Sequence, residues 1–144
     1  MTTEHVFEGT PAQVFEGIHQ YARYPEYLPG VTKIEILPAK KPGSVCQVRY
    51  DLKLIKTFFY TLNMFEESPK RIWWDLEESN IMKKSDGGWT LTPAAGAKDR
   101  TKAVYALDIV FKGLVPQTIV DQITKANLPG MMTGFQKLIR DVQG

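Results

Sequence analysis

Cys46-Gln47-Val48-Arg49-Tyr50-Asp51-Leu52-Lys53-Leu54-Ile55 puts Cys46, Val48, Tyr50, Leu52 and Leu54 on one side and Gln47, Arg49, Asp51, Lys53 and Ile55 on the other. A period of two over ten residues predicts a strand with one buried face. Lys56-Thr57 is a turn into Phe58–Glu67, where Phe58, Tyr60, Leu62 and Met64 share a side. Ser68-Pro69-Lys70 turns the chain again into Arg71–Glu78, with Ile72, Trp74 and Leu76 aligned. Strands joined by turns this short predict an antiparallel sheet with one apolar face.

Outward from this block the pattern holds on both sides. Downstream, Ser79–Gly88 reads as a hairpin in which Ile81-Met82-Lys83 forms a short strand, Trp89 and Leu91 pair before Pro93, and 94–99 is a loop. Ala103, Tyr105, Leu107, Ile109 and Phe111 then alternate with polar neighbours in a long last strand closed by Gly113 and Pro116. Upstream, Thr32, Ile34 and Ile36 oppose Lys33 and Glu35, and Pro38–Gly43 is a turn. The start of the chain differs in kind. After a strand at Glu4–Glu8, Thr10 is an N-cap and Pro11 the first residue of a helix to Gln20, with Val14, Phe15 and Ile18 on one face. Tyr21–Leu28 continues as a second short helix interrupted at Pro25. At the other end Ile119, Ile123, Ala126, Met132, Phe135, Ile139 and Val142 form one apolar stripe, the mark of a helix that Pro129-Gly130 kinks or breaks.

The predicted fold class is α+β. A curved antiparallel sheet of six to seven strands wraps a long C-terminal helix, two short helices follow strand one, and residues 1–144 form one domain. A sheet closed over a helix leaves room for an internal cavity. Composition agrees: 43% hydrophobic and 24% charged residues suit a globular chain of 144 residues. Eighteen basic against sixteen acidic side chains leave a net charge of +2, too little for a strongly electrostatic nucleic-acid binder, and no DNA partner is expected. The single cysteine, Cys46, makes neither an intrachain disulfide nor a multi-cysteine zinc site. No secretory signal opens the chain and no apolar run of about 20 residues interrupts it, so a cytoplasmic protein is expected.

These residues resemble the START-like helix-grip superfamily, and within it the polyketide cyclase/dehydrase group that includes coenzyme Q-binding proteins. The likeness is carried by Pro11-Ala-Gln-Val-Phe15, Tyr24-Pro-Glu-Tyr-Leu-Pro-Gly-Val31, Arg71-Ile72, Gly88-Trp89 with Leu91 and Pro93, and Asn127-Leu-Pro-Gly-Met131, and it spans nearly the whole chain. It implies a deep apolar cavity between sheet and C-terminal helix that holds a lipid, an isoprenoid quinone or a polyketide. Relatives in this group include quinone carriers, enzymes that shape aromatic polyketides, and a ribosome-associated branch.

The expected cavity wall is the inward stripe: Tyr50, Leu52, Phe58, Tyr60, Trp74, Leu76, Tyr105, Leu107 and Ile109 from the sheet, with Met131, Met132 and Phe135 from the helix. Any one of these is as readily a plain core residue. Buried tyrosines need hydrogen-bond partners, which a carbonyl-bearing ligand, water or backbone would supply. Catalytic motifs are missing: His5 and His19 lie in different elements, Cys46 reads as an inert buried thiol, and no nucleophile elbow, metal-binding helix pair or phosphate loop occurs. No catalytic residue, metal or cofactor is assigned. Arg71 is expected to pair near its turn, and Trp73, beside Trp74, to lie on the outer face, packed there or touching a partner or membrane surface. Three functions follow: a non-enzymatic binder or carrier of a hydrophobic small molecule, a polyketide aromatase/cyclase, and a regulatory partner of the ribosome or another protein.

Overall fold

Thr10 and Pro11 start the first helix through their own side-chain chemistry. The Gln13 amide donates to Thr10 Oγ1 at 3.2 Å, and the Thr10 amide donates to Gln13 Oε1 at 2.9 Å. Such a reciprocal cap contributes about 1 kcal/mol. The computed structural model describes residues 1–144. Strand β1 (Thr2–Glu8) leads into α1 (Pro11–Ile18) and a 3-10 turn (Tyr21–Glu26). The second expected helix takes this tighter form around Pro25, which has no amide to give to an α-helical ladder. Tyr24 ties the turn to α1, its hydroxyl donating to the Ile18 carbonyl at 2.5 Å.

Six strands follow: β2 (Val31–Leu37), β3 (Cys46–Lys53), β4 (Thr57–Glu67), β5 (Arg71–Ser79), β6 (Met82–Ala94) and β7 (Ala97–Phe111). They form one seven-stranded antiparallel sheet in the order β1-β7-β6-β5-β4-β3-β2. Chain neighbours are sheet neighbours throughout, except that β1 returns to pair with β7.

Two stretches carry more strand than expected, the first beginning with the expected strand at Met82-Lys83. The Ser79–Gly88 hairpin is replaced by a turn at Asn80-Ile81 and a continuous β6. Gly87 and Gly88 lie inside that strand because tryptophans occupy the space a side chain would need. A Cβ on Gly87 would stand 2.6 Å from Trp74 Cζ2, and one on Gly88 would stand 2.8 Å from Trp73 Cβ. The expected 94–99 loop contracts to Ala95-Gly96, with Ala94 and Ala97 already paired and Gly96 at φ +76°. Ile36, on the apolar side of the alternation at 32–36, is 46% exposed on edge strand β2, where the register shifts between Val31 and Lys33.

The C-terminal helix is segmented. Helix α2 (Gln117–Asp121) runs into a π-helical turn (Gln122–Ala126), and α3 (Leu128–Gln143) begins after Asn127. Pro129 therefore sits in the first turn of α3, where its missing amide costs nothing, and the break comes before it. Ala126, assigned to the apolar stripe, is exposed by the π turn's change of phase. Helix α3 buries Met132, Phe135, Leu138 and Ile139, and Gly17 lets it approach α1: a Cβ there would meet Ile139 Cγ1 at 2.5 Å. These residues join β-strand side chains in a core of 21 buried residues, while Ile81, Met82 and Ile119 form a separate cluster beneath α2.

Candidate functional site

The inward residues of the sheet do not fill the space beneath the C-terminal segment. They leave a cavity of about 140 Å³ between the sheet, the Tyr21–Glu26 turn, the π turn and α3. From the sheet, β3 supplies Tyr50 and Leu52, β4 supplies Tyr60, and β5 supplies Trp74. Tyr105, Leu107 and Ile109 come from β7, and Met131 and Phe135 from α3. These nine positions were all expected inward.

Three others stand off the wall. Phe58 lies at the start of β4, beyond the cavity, and packs against the cluster of Ile81, Met82 and Ile119. Leu76 pairs with Leu62 just before the register shift in β4–β5 and packs between the two clusters. Met132 is turned by about 100° from Met131 on the helix and is buried in the main core.

The wall also holds residues that strand parity does not reveal. Tyr24, Leu28 and Pro29 come from the turn region after α1, and Gln122, Ile123 and Asn127 from the cover. Ser85 is the one polar side chain on the β6 wall, placed there because β6 is a single strand. Tyr24 carried a local signal, an aromatic at helical spacing from Tyr21 and Tyr27. Gln122 carried none, because its position depends on where the terminal helix breaks.

Aromatic rings make a continuous belt around this space. Tyr60 stacks on Tyr50 with centroids 4.6 Å apart, and Tyr24 follows at 6.2 Å from Tyr50. Phe135 meets Tyr24 edge-on at 5.3 Å and Trp89 at 5.4 Å, and Tyr105 lies 4.8 Å beyond Trp89. Trp74 ends the series, 6.1 Å from Tyr105.

Hydrogen bonding divides the six tyrosines into two sets of three. Tyr21 donates to Glu66, Tyr24 to the Ile18 carbonyl and Tyr27 to Asp141. The hydroxyls of Tyr50, Tyr60 and Tyr105, all on the cavity wall, have no protein partner. Burial pushes the pKa of each well above the ordinary phenol value, with the neighbouring tyrosines adding to the effect at Tyr50 and Tyr60. They are therefore neutral hydrogen-bond donors at any physiological pH. Gln122 Oε1 is buried on the same wall without a partner and offers an acceptor. A buried orphan of this kind costs about 1–3 kcal/mol.

No Asp, Glu, His, Lys or Arg reaches the wall. His5 packs against Phe7, and burial lowers its pKa. His19 Nδ1 lies 3.2 Å from Glu66 Oε2, outside the cavity. Cys46 is half-buried, and burial together with Glu66 raises its pKa, which keeps it a thiol. No three potential metal ligands cluster. Arg71 does not form its expected pair: its guanidinium lies 3.7 Å over the Trp73 ring, which stacks on Phe65 across the outer face.

The family model described as polyketide cyclase / dehydrase and lipid transport matches residues 1–142. Among curated proteins no sequence matches the chain significantly. Among solved structures, a START superfamily protein from Mycobacterium smegmatis is similar at TM-score 0.82 and 15% identity, covering 99% of this chain and 97% of that one. A protein from Thermus thermophilus reaches 0.80 at 14%, covering 100% and 99%. The Zhui aromatase/cyclase from a Streptomyces species reaches 0.74 at 15%, covering 99% and 91%. At these identities the likeness establishes the helix-grip fold.

Proposed function

Because the chain belongs to the polyketide cyclase / dehydrase and lipid transport family, we propose that its cavity binds a hydrophobic small molecule without transforming it. The observation that carries this reading is the wall itself: an aromatic belt, three unpartnered phenols and no ionisable group except tyrosine. Apolar area removed from water supplies the affinity, at about 25 cal/mol per Å², offset by the cost of association. The phenols and Gln122 orient what enters.

Size narrows the ligand. A cavity of about 150 Å³ accepts a benzene-sized molecule, and this one measures about 140 Å³. The ligand class is therefore a planar ring bearing a carbonyl or hydroxyl, stacked within the belt. An isoprenoid quinone would place its ring inside and its tail through the mouth; a fused polyketide would need the cover to move. Quinone carriage fits both the size and the wall chemistry, and an acyl lipid fits only the apolar part of the wall.

The second reading is a polyketide aromatase/cyclase. It is favoured by the phenol cluster, which would hold poly-keto carbonyls in a reactive fold. Against it, phenols with raised pKa values are poor proton donors and acceptors near neutral pH. Native mass spectrometry of protein purified from its own host, followed by organic extraction, separates these readings. A stoichiometric ring compound released unchanged supports the carrier. Turnover of a poly-β-keto chain by the purified protein, lost in Tyr→Phe variants, would replace that reading with the enzyme. A ribosome-associated role would show as salt-sensitive co-sedimentation with ribosomes.

A further inference from the structure

The cavity has a deep end and a rim, and the rim has its own surface chemistry. Ile18, Tyr24, Met64, Ile72, Trp89 and Phe135 close the deep end and are buried. Leu28, Pro29, Ile109, Gln122, Ile123 and Asn127 are partly or fully exposed and mark the mouth. Two loops flank it: the β3–β4 turn at 54–56 and the β7–α2 loop at 112–116. Leu54 and Val115, one from each loop, pack inward on the same small cluster of Ile81, Met82 and Ile119, which places the loops together at this end.

Their neighbours point the other way. Leu114 is 104% exposed and Ile55 is 75% exposed, the two most exposed large apolar side chains of the chain. The charge around them is one-sided. In 53–56, 80–83 and 112–125 the charged residues are Lys53, Lys56, Lys83, Lys112, Lys125 and a single acid, Asp121. All five lysines are exposed and none takes part in an ion pair; Lys112 Nζ donates to the Ser79 carbonyl at 2.6 Å, which leaves Lys53, Lys56, Lys83 and Lys125 as the free cations. Lys84 is the cation nearby that is neutralised, by Asp108 and Asp86.

We propose that this end of the molecule docks on an anionic bilayer, with Ile55 and Leu114 entering the interface and the lysines engaging lipid headgroups. The aliphatic tips decide the partner class. A phosphate backbone would satisfy the lysines but gain nothing from two exposed aliphatic side chains, whereas a bilayer surface takes both. Docking there faces the mouth toward the medium into which an apolar ligand partitions. The inference stands apart from the proposed ligand, because it concerns the outer surface and is tested without one.

The test is flotation of the intact protein with vesicles of pure phosphatidylcholine and of equal parts phosphatidylcholine and phosphatidylglycerol, at low and high salt. The expected result is binding to the anionic vesicles only, weakened by salt. Ile55→Ser with Leu114→Ser should weaken partition by about tenfold per tip. Lys53→Gln with Lys56→Gln should weaken it by about fivefold per lysine. Both double variants should keep the parent Tm, since every altered side chain is exposed. Absence of binding by the parent protein overturns the proposal. So does binding unchanged by the aliphatic substitutions, which would mark a polyanion site such as one for RNA. A variant that still captures a cavity ligand but no longer floats separates the docking surface from the cavity.

Discussion

Tyr50, Tyr60 and Tyr105 occupy positions where phenylalanine would pack equally well, yet each carries a hydroxyl with no protein partner into a cavity lined by rings. If those hydroxyls serve a ligand, each Tyr→Phe substitution should weaken ligand binding about two- to tenfold, the worth of one hydrogen bond, and leave the Tm of the unliganded protein unchanged or higher. Isothermal titration with the extracted ligand reads the first quantity and a melting curve the second. Unchanged affinity in all three variants would leave the phenols without a binding role. A pH prediction follows from the same side chains. All six tyrosines have raised pKa values, five chiefly through burial and Tyr27 through its hydrogen bond to Asp141. Above the ordinary value of about 10 the unfolded chain loses phenolic protons that the folded chain keeps, so stability is full below that pH and falls above it. Tyrosinate absorbance should therefore rise late and together with loss of fold. Early titration of several tyrosines in a folded protein would contradict the buried belt.

At the scale of elements, glycine positions decide how closely the layers meet. Gly17 on α1 and Gly134 on α3 sit in helices, where alanine normally adds about 1 kcal/mol of stability. Here the sign should reverse. A Cβ on Gly134 would lie 2.2 Å from the Tyr27 carbonyl oxygen, and one on Gly17 would lie 2.9 Å from Ile139 Cα. Gly17→Ala and Gly134→Ala should each destabilise by about 1–3 kcal/mol through overpacking, read from chemical denaturation. Stabilisation by either would mean the helix packs farther away. The same contacts explain what sequence pattern misjudged. Gly87-Gly88 reads locally as a turn, because turns are where glycine is commonest. In the sheet these residues make room for Trp73 and Trp74, a requirement set by a neighbouring strand. Pro129-Gly130 reads as a kink or break, and the structure places that break two residues earlier, at Asn127 after the π turn, with Pro129 in the first turn of α3.

For the whole molecule, the cavity and the core compete for the same side chains. A ligand held in the cavity stabilises only the folded state, so at about one hundred times its Kd it should add roughly 2.7 kcal/mol. For a chain of this size that raises Tm by about 8 °C. A compound that co-purifies yet leaves Tm unmoved at saturation is bound elsewhere.

Alternation in Cys46–Lys53 and its neighbours, the Thr10 cap and the apolar stripe of α3 determined by themselves an antiparallel sheet covered by a terminal helix, because periodicity and capping are local properties that a chain carries into any environment. They also identified most of the inward side chains, since strand parity assigns a face without knowing what lies across from it. Only the tertiary structure decided that the inward faces stop short of meeting, that Tyr50, Tyr60, Tyr105 and Gln122 share one space, and that Phe58, Leu76 and Met132 do not border it. A cavity is a difference between the volume enclosed by the layers and the volume of the side chains within it. That difference depends on strand register, glycine contacts and a helix break, which arise only when distant segments pack together.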